Sequence, residues 1–287
     1  FEVIVGDDGS SDNTKDVLNW AVPNVPYRLR WFSQKNAGPN RVRNKAIEMA
    51  EAPIVVFFND DTIATPELLN QHLEAHRSYP QENFAFLGKV TIDPSLPYSP
   101  FSELHLDSSF AQWDGLVGPN GFAVLDWRAF YTCNLSVKKK FLLKNGLFDE
   151  EIRYSDDVEL GARLDSSGLR IIYCPRALGY HRHFLTENDY LRIAEKEGIG
   201  LAVWYLKRPG DCKYLKELRF PLCLSPERRL RYFIGNLLFH RNIRWFWLRI
   251  AKRMIEKRSN IGFRLYEKLY QSIKRESIAN YIRKRGS

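Results

Sequence analysis

The sequence predicts an α/β fold, and three observations carry that prediction. Two short runs, Glu2–Gly6 and the fully apolar Ile54–Phe58, have the composition of buried strands. Segments with apolar residues at helical spacing follow or separate them. Both runs stop on acidic pairs, Asp7-Asp8 and Asp60-Asp61. Apolar strands alternating with helices indicate a parallel sheet covered on both faces, with ligands bound beyond the carboxyl ends of the strands. Both acidic pairs are therefore expected on one rim.

The elements follow in order. Asp12 and Thr14 are candidate N-caps for a helix with Val17, Leu18, Ala21 and Val22 on one face, ended by Pro23 and Pro26. Arg28–Phe32 reads as a second strand. The loop Asn36–Asn40 opens another helix, with Val42, Ala46, Ile47 and Ala50 together. Pro53 then precedes the Ile54–Phe58 strand. Residues 91–130 are rich in Pro, Gly, Ser and aromatics and weakly periodic. They are expected to form long loops and edge structure, a lid or acceptor-facing wall. A helix is expected from Asp157 to Leu164 and a strand over Leu169–Tyr173, with His181 and His183 shortly after.

The bulk numbers set limits. The chain has 287 residues, 44% of them hydrophobic and 14% aromatic, enough for one large packed domain or a domain with an appendage. No stretch nears the roughly 20 apolar residues of a spanning helix, and the first residues do not read as a signal peptide. Cys133, Cys174, Cys212 and Cys223 form no C-x-x-C pair, which points to reduced thiols in a reducing compartment. Charge is uneven: residues 211–287 carry +14 and residues 1–210 carry −5, of a net +9. The expected division is a catalytic domain over 1–210 and a basic helical tail over 211–287. In the tail, Ile243, Phe246, Trp247, Ile250, Ala251, Met254 and Ile255 form an apolar stripe opposite Arg244, Arg249, Lys252, Arg253 and Lys257.

Adjacent carboxylates disfavour joint ionisation unless a cation neutralises them. Divalent cations do so with oxygen ligands, and Mg²⁺ is commonly shared between carboxylates and substrate phosphates. Each pair also has a plain structural reading. Asp60-Asp61 leads into the helix start Thr65-Pro66-Glu67, Asp7-Asp8-Gly9-Ser10 is a solvated turn, and Asp156-Asp157 sits at a helix mouth, where the dipole favours acids.

Their joint order is more specific. Phe1–Thr14, Gly38–Ala46, Ile54–Asp61, Cys133–Val137, Gly146–Glu150, Asp156–Leu164 and Ala177–His181 together resemble the family 2 glycosyltransferases. The resemblance spans residues 1 to about 185 and implies the GT-A fold, a Rossmann-like mixed sheet flanked by helices. It also implies roles. Asp8 or Asp7, with Ser10, reads the nucleotide, Arg43 lies near it, and Asp60 faces the ribose or the metal shell. Asp61 and His181 hold a divalent metal, Mn²⁺ or Mg²⁺. Asp157 is the catalytic base, and Asp156 stands where the family usually has Glu. Asn59 departs from the family's D-x-D pattern. The family's first strand and helix normally precede the point where this chain begins, so an N-terminal truncation of about 35 residues or more is expected.

The expected function is metal-assisted, inverting transfer of a single sugar from a nucleotide-diphosphate sugar, UDP favoured, to a glycan or lipid-linked acceptor. The setting is bacterial-type surface glycan or glycolipid assembly. The processive signature Q-x-x-R-W is absent. The alternative is a catalytically spent basic scaffold that binds a membrane or another polyanion. The basic amphipathic segment 228–258 fits an anionic membrane surface or else packs on the catalytic domain. Nucleic acid is disfavoured, because the aromatics share the apolar face. The expected location is cytoplasmic and peripheral at the inner face of the membrane.

Overall fold

A computed structural model describes residues 1–285, apart from the side chains of residues 107–109, 231–233 and 236. The chain divides into two compact units, residues 1–89 with 116–179 and residues 90–115 with 180–287.

The first unit opens with β1 (Glu2–Asp7), α1 (Thr14–Asn24) and β2 (Arg28–Ser33). β1 and β2 pair in parallel from Glu2–Arg28 to Asp7–Ser33, as a strand–helix–strand crossover requires. Pro23 lies inside α1, one residue before its end. Next come α2 (Pro39–Met49), β3 (Ile54–Phe58), β4 (Thr62–Ala64), α3 (Leu68–Ser78) and β5 (Phe84–Ile92). Pro39 begins α2 where its missing N–H costs nothing.

Residues 91–130 correct the loop expectation in part. Within the second unit, Ser99 caps α4 (Pro100–Ser102), which runs through a π-helical turn, Glu103–Asp107, into α5 (Ser108–Asp114). Leu104, Leu106, Phe110 and Trp113 are buried along it. The π turn shifts the phase of the apolar positions, which hides the 3.6-residue period.

The first unit resumes with β6 (Ala123–Leu125), a 3₁₀ turn at Trp127–Ala129, β7 (Asn134–Lys138), α6 (Lys139–Asn145), α7 (Asp156–Asp165) and β8 (Arg170–His181). The main sheet has the order β3-β7-β5-β8-β4, with β6 on β8. β7 runs antiparallel to both β3 and β5, which corrects the parallel reading drawn from the apolar strands alone and agrees with the mixed sheet that the resemblance implies. Apolar strands show burial on both faces but not direction. On one face, α3 seats Leu68 and Ala75 against Phe86, Ile172, Cys174 and Ala177. Buried His72 joins that face through Asn134 Oδ1 at 2.9 Å and Ser136 Oγ at 2.8 Å.

The remaining helices belong to the second unit: α8 (Glu187–Lys207), α9 (Cys212–Leu215), α10 (Pro226–Leu238), α11 (Arg241–Ile255) and α12 (Asn260–Arg285). A capping box between Thr186 and Asp189 starts α8. Tyr190, Ala194, Phe239, Ala251, Ile255, Tyr266, Leu269 and Tyr270 form the core here. Cys212 and Cys223 are bridged by a disulfide, which corrects the expectation of reduced thiols at those positions. A turn after α9 brings their Cα atoms to 5.2 Å, within bridging range, although their spacing matches no redox motif. Among the described residues no helix is long and apolar enough to cross a membrane.

Candidate active site

The loop after β1 is held together by its own acids. Buried Asp7 accepts the Ser10 N–H at 2.7 Å on Oδ1 and the Ser33 hydroxyl at 2.7 Å on Oδ2. Hydrogen bonds from Ser10 and then Ser33 hold its carboxyl down at about 2. Asp8 accepts Gln34 Nε2 at 2.8 Å, the Ala37 N–H at 2.9 Å and the Gly38 N–H at 2.8 Å. Desolvation pushes the Asp8 carboxyl up, but these three donors outweigh it and hold it below the ordinary carboxylate range. Asp7 thus fixes the turn to the end of β2, and Asp8 fixes it to the loop that starts α2. Gly9 has φ +86°, and a side chain there would meet the backbone of Gln34 and Asn36 at 3.1 and 3.0 Å. Ser10 is exposed beside them.

α2 then reaches the start of α7. Asn40 is buried and donates to the carbonyls of Asp149 at 2.9 Å and Ile152 at 2.6 Å. Its Oδ1 accepts Arg43 Nη1 at 3.1 Å, and the same nitrogen pairs with Asp156 Oδ2 at 2.5 Å. The Arg43 guanidinium also lies 5.4 Å from the Phe148 ring centre. Arg43 therefore touches the second acid pair directly, a contact across 113 positions that spacing does not reveal.

The backbone sets up that pair. Ser155, immediately before α7, has φ 56°, a left-handed conformation that costs a non-glycine residue about 1 kcal/mol. α7 lies close to the 127–130 segment because residue 161 is Gly. A Cβ there would stand 2.5 Å from the Trp127 carbonyl oxygen and 2.7 Å from Phe130 Cβ. This packing brings Asp157 against the segment leading into β7, where the Thr132 N–H bonds it. Asp157 also accepts the Val158 N–H at 2.8 Å.

The two acids of α7 differ. Asp156 is 8% exposed, and its desolvation outweighs the pull of Arg43, leaving its carboxyl above the ordinary range. Asp157 is half-buried. Desolvation first, and then the charge of Asp156, push its carboxyl up to about 7, against the pull of Arg43 and the two N–H donors. A carboxyl poised near neutrality and partly open to solvent is suited to take a proton.

Cys133 links this pair to the acids after β3. Desolvation and then the charges of Asp157 and Asp61 push its thiol up to about 12. Asp61 and Asp157 therefore both act on the region around this half-buried thiol. Asp61 is half-buried and Asp60 exposed, in the turn closed by the Thr62 N–H on the Asn59 carbonyl at 3.3 Å. Among the described residues no three His, Cys, Asp or Glu side chains converge as a metal cage. The carboxylates after β3 fit instead a hard cation that shares its shell with substrate phosphates. His181 ends β8 in the second unit, where its carbonyl accepts the Asp93 N–H at 3.0 Å and its ring centre lies 5.9 Å from that of His183.

Residues 1–126 match the family model for glycosyl transferase family 2. Over that stretch the chain is similar to the family 2 glycosyltransferases. It is 30% identical over 217 residues to the uncharacterised glycosyltransferase YfnE of Bacillus subtilis, covering 59% of this chain and 54% of that protein. It is 27% identical over 214 residues to the GalNAc(5)-diNAcBac-PP-undecaprenol beta-1,3-glucosyltransferase of Campylobacter jejuni, covering 72% and 63%. A validoxylamine A glucosyltransferase of Streptomyces hygroscopicus is 28% identical over 194 residues, 59% of this chain and 45% of that protein. The chain thus spans about half the length of the curated relatives it matches. The fold is GT-A. The mannosyltransferase of Pyrobaculum calidifontis, solved with GDP-Man and Mn²⁺, superposes with a TM-score of 0.59 at 16% identity over 100% of this chain and 79% of that one.

Proposed function

We propose that the protein transfers one sugar, with inversion, from a nucleotide-diphosphate sugar to a hydroxyl of a glycan or lipid-linked acceptor. The observation that carries this reading is the Asp157 carboxyl, raised to about 7, half-buried and near the region that Asp61 flanks. Asp157 accepts the acceptor's hydroxyl proton as the oxygen attacks the anomeric carbon and the bond to the nucleoside diphosphate breaks. Asp156 and Arg43 hold the start of α7, and the paired Arg43 offsets part of the desolvation that raises the Asp156 carboxyl. Asp7, Asp8 and Ser10 shape the nucleotide loop, and their backbone and hydroxyl groups face the base and ribose. Asp61, with Asp60 beside it, would hold Mn²⁺ or Mg²⁺, and the bound ion would neutralise charge on the departing diphosphate.

Donor and acceptor classes draw support from the relatives. The archaeal neighbour is solved with GDP-Man and Mn²⁺, and GalNAc-T7 with UDP, GalNAc and Mn²⁺. The Campylobacter relative is named for an undecaprenol-linked acceptor, which supports a lipid-linked acceptor in bacterial surface glycan assembly. Calorimetry with UDP- and GDP-sugars, with and without Mn²⁺, tests the donor half. The expected result is Mn²⁺-dependent binding of one donor class that Asp61→Ala weakens at least about tenfold. Equal affinity of the Asp61→Ala variant in the presence of Mn²⁺ counts against the assignment.

A further inference from the structure

Part of the second unit's tail leaves an apolar surface uncovered. On α10, Leu230, Ile234, Leu237 and Leu238 recur at one-face helical spacing and are all exposed, Leu237 to 65%. On α11, Ile243, Trp245 and Phe246 are exposed, Trp245 to 64%. The corner between the helices is fixed. Phe239 is buried with its ring 5.3 Å from that of Trp247, and Trp247 Nε1 donates to the Leu238 carbonyl at 2.7 Å. The Phe246 ring lies 5.5 Å from the Trp247 ring. The sequence stripe is therefore split. Ala251 and Ile255 are buried in the core that contains Tyr266 and Leu269, with Trp247 packed against it, while Ile243 and Phe246 stay open.

The exposed residues among these apolar groups are mostly basic: Arg228, Arg241, Arg249, Lys252, Arg253 and Lys257. Against them stand Glu227 and Glu256. A second copy would bring two positive rims together, which electrostatic complementarity disfavours. An anionic bilayer instead matches the rim and takes the aliphatic and indole groups into its headgroup boundary. We propose that the α10–α11 surface docks on anionic lipid, with both helices lying in the plane of the interface.

Flotation of the whole chain with phosphatidylcholine vesicles, with and without phosphatidylglycerol, tests this. The expected result is binding to the anionic vesicles only. Leu237→Glu and Phe246→Glu, both at exposed positions, should each weaken it about tenfold or more. Arg249→Gln and Arg253→Gln should each weaken it about fivefold. Circular dichroism checks that the variants remain folded, and Arg253→Gln keeps the test decisive if a Glu variant does not. Absence of binding to anionic vesicles overturns the proposal. So does undiminished binding by the Glu variants, which would leave only non-specific charge attraction. Lipid-free self-association abolished by Leu237→Glu would assign the surface to a second copy and overturn it too.

Discussion

Replacing Asp157 with Asn should make the protein more stable above neutral pH while removing its proposed base. The folded carboxyl stands at about 7 against an ordinary 3.8. A gap of that size corresponds to about 4 kcal/mol at full weight. Part of it comes from the charge of Asp156 and is shared by the pair, so about 2 kcal/mol is the working figure. The helix dipole opposes this by only about 0.3–1 kcal/mol. The sign follows from the direction of the shift. A carboxyl raised on folding favours the folded state below its unfolded value of 3.8, and that contribution is lost as the pH rises through about 7. Asn does not titrate, so the variant's advantage should grow between those limits. At about 2–4 °C per kcal/mol for a unit of this size, the melting temperature at about pH 8 should rise by roughly 4–8 °C. Differential scanning fluorimetry across that range reads it out. A pH-independent offset, or a variant less stable at high pH, would refute the reasoning.

Other consequences follow from named contacts. Arg43→Gln leaves the mostly buried Asp156 without its cation and should cost about 2–3 kcal/mol in urea denaturation, much of it recovered in the double variant with Asp156→Asn. Gly161→Ala puts a methyl 2.5 Å from the Trp127 carbonyl and should force α7 outward; a loss of about 1–3 kcal/mol with reduced turnover is expected in melting and activity assays. Cys133, with its thiol near 12, should resist N-ethylmaleimide at about pH 8. The Asp157→Asn variant should react faster there, because a neighbouring negative charge is gone.

Much of the first unit is legible in sequence because its signals are local. Pro39 after Gly38 starts α2, and Ile54–Phe58 is one apolar run between Pro53 and Asn59. The acid pairs are legible for the same reason. What joins them is not. Arg43 meets Asp156, and Asp157 meets Thr132, only through packing that depends on Gly161 and on left-handed Ser155. Cys133 stands near two acids and carries no motif that announces it. Strand direction in the main sheet was hidden because burial alone does not encode it, and α4–α5 was hidden by a π turn. The tail stripe was visible as a pattern, but which half faces the core is decided by Tyr266, Leu269 and their neighbours on other helices.

The central claim is that Asp157 takes the proton in a glycosyl transfer. The most direct measurement is nucleoside diphosphate release from the bound donor, with Mn²⁺ and acceptor, by wild type and Asp157→Asn under conditions where both bind donor equally. Release slowed by about 10²–10⁴-fold with donor affinity retained is the predicted result. Release at the wild-type rate in the Asn variant would contradict it.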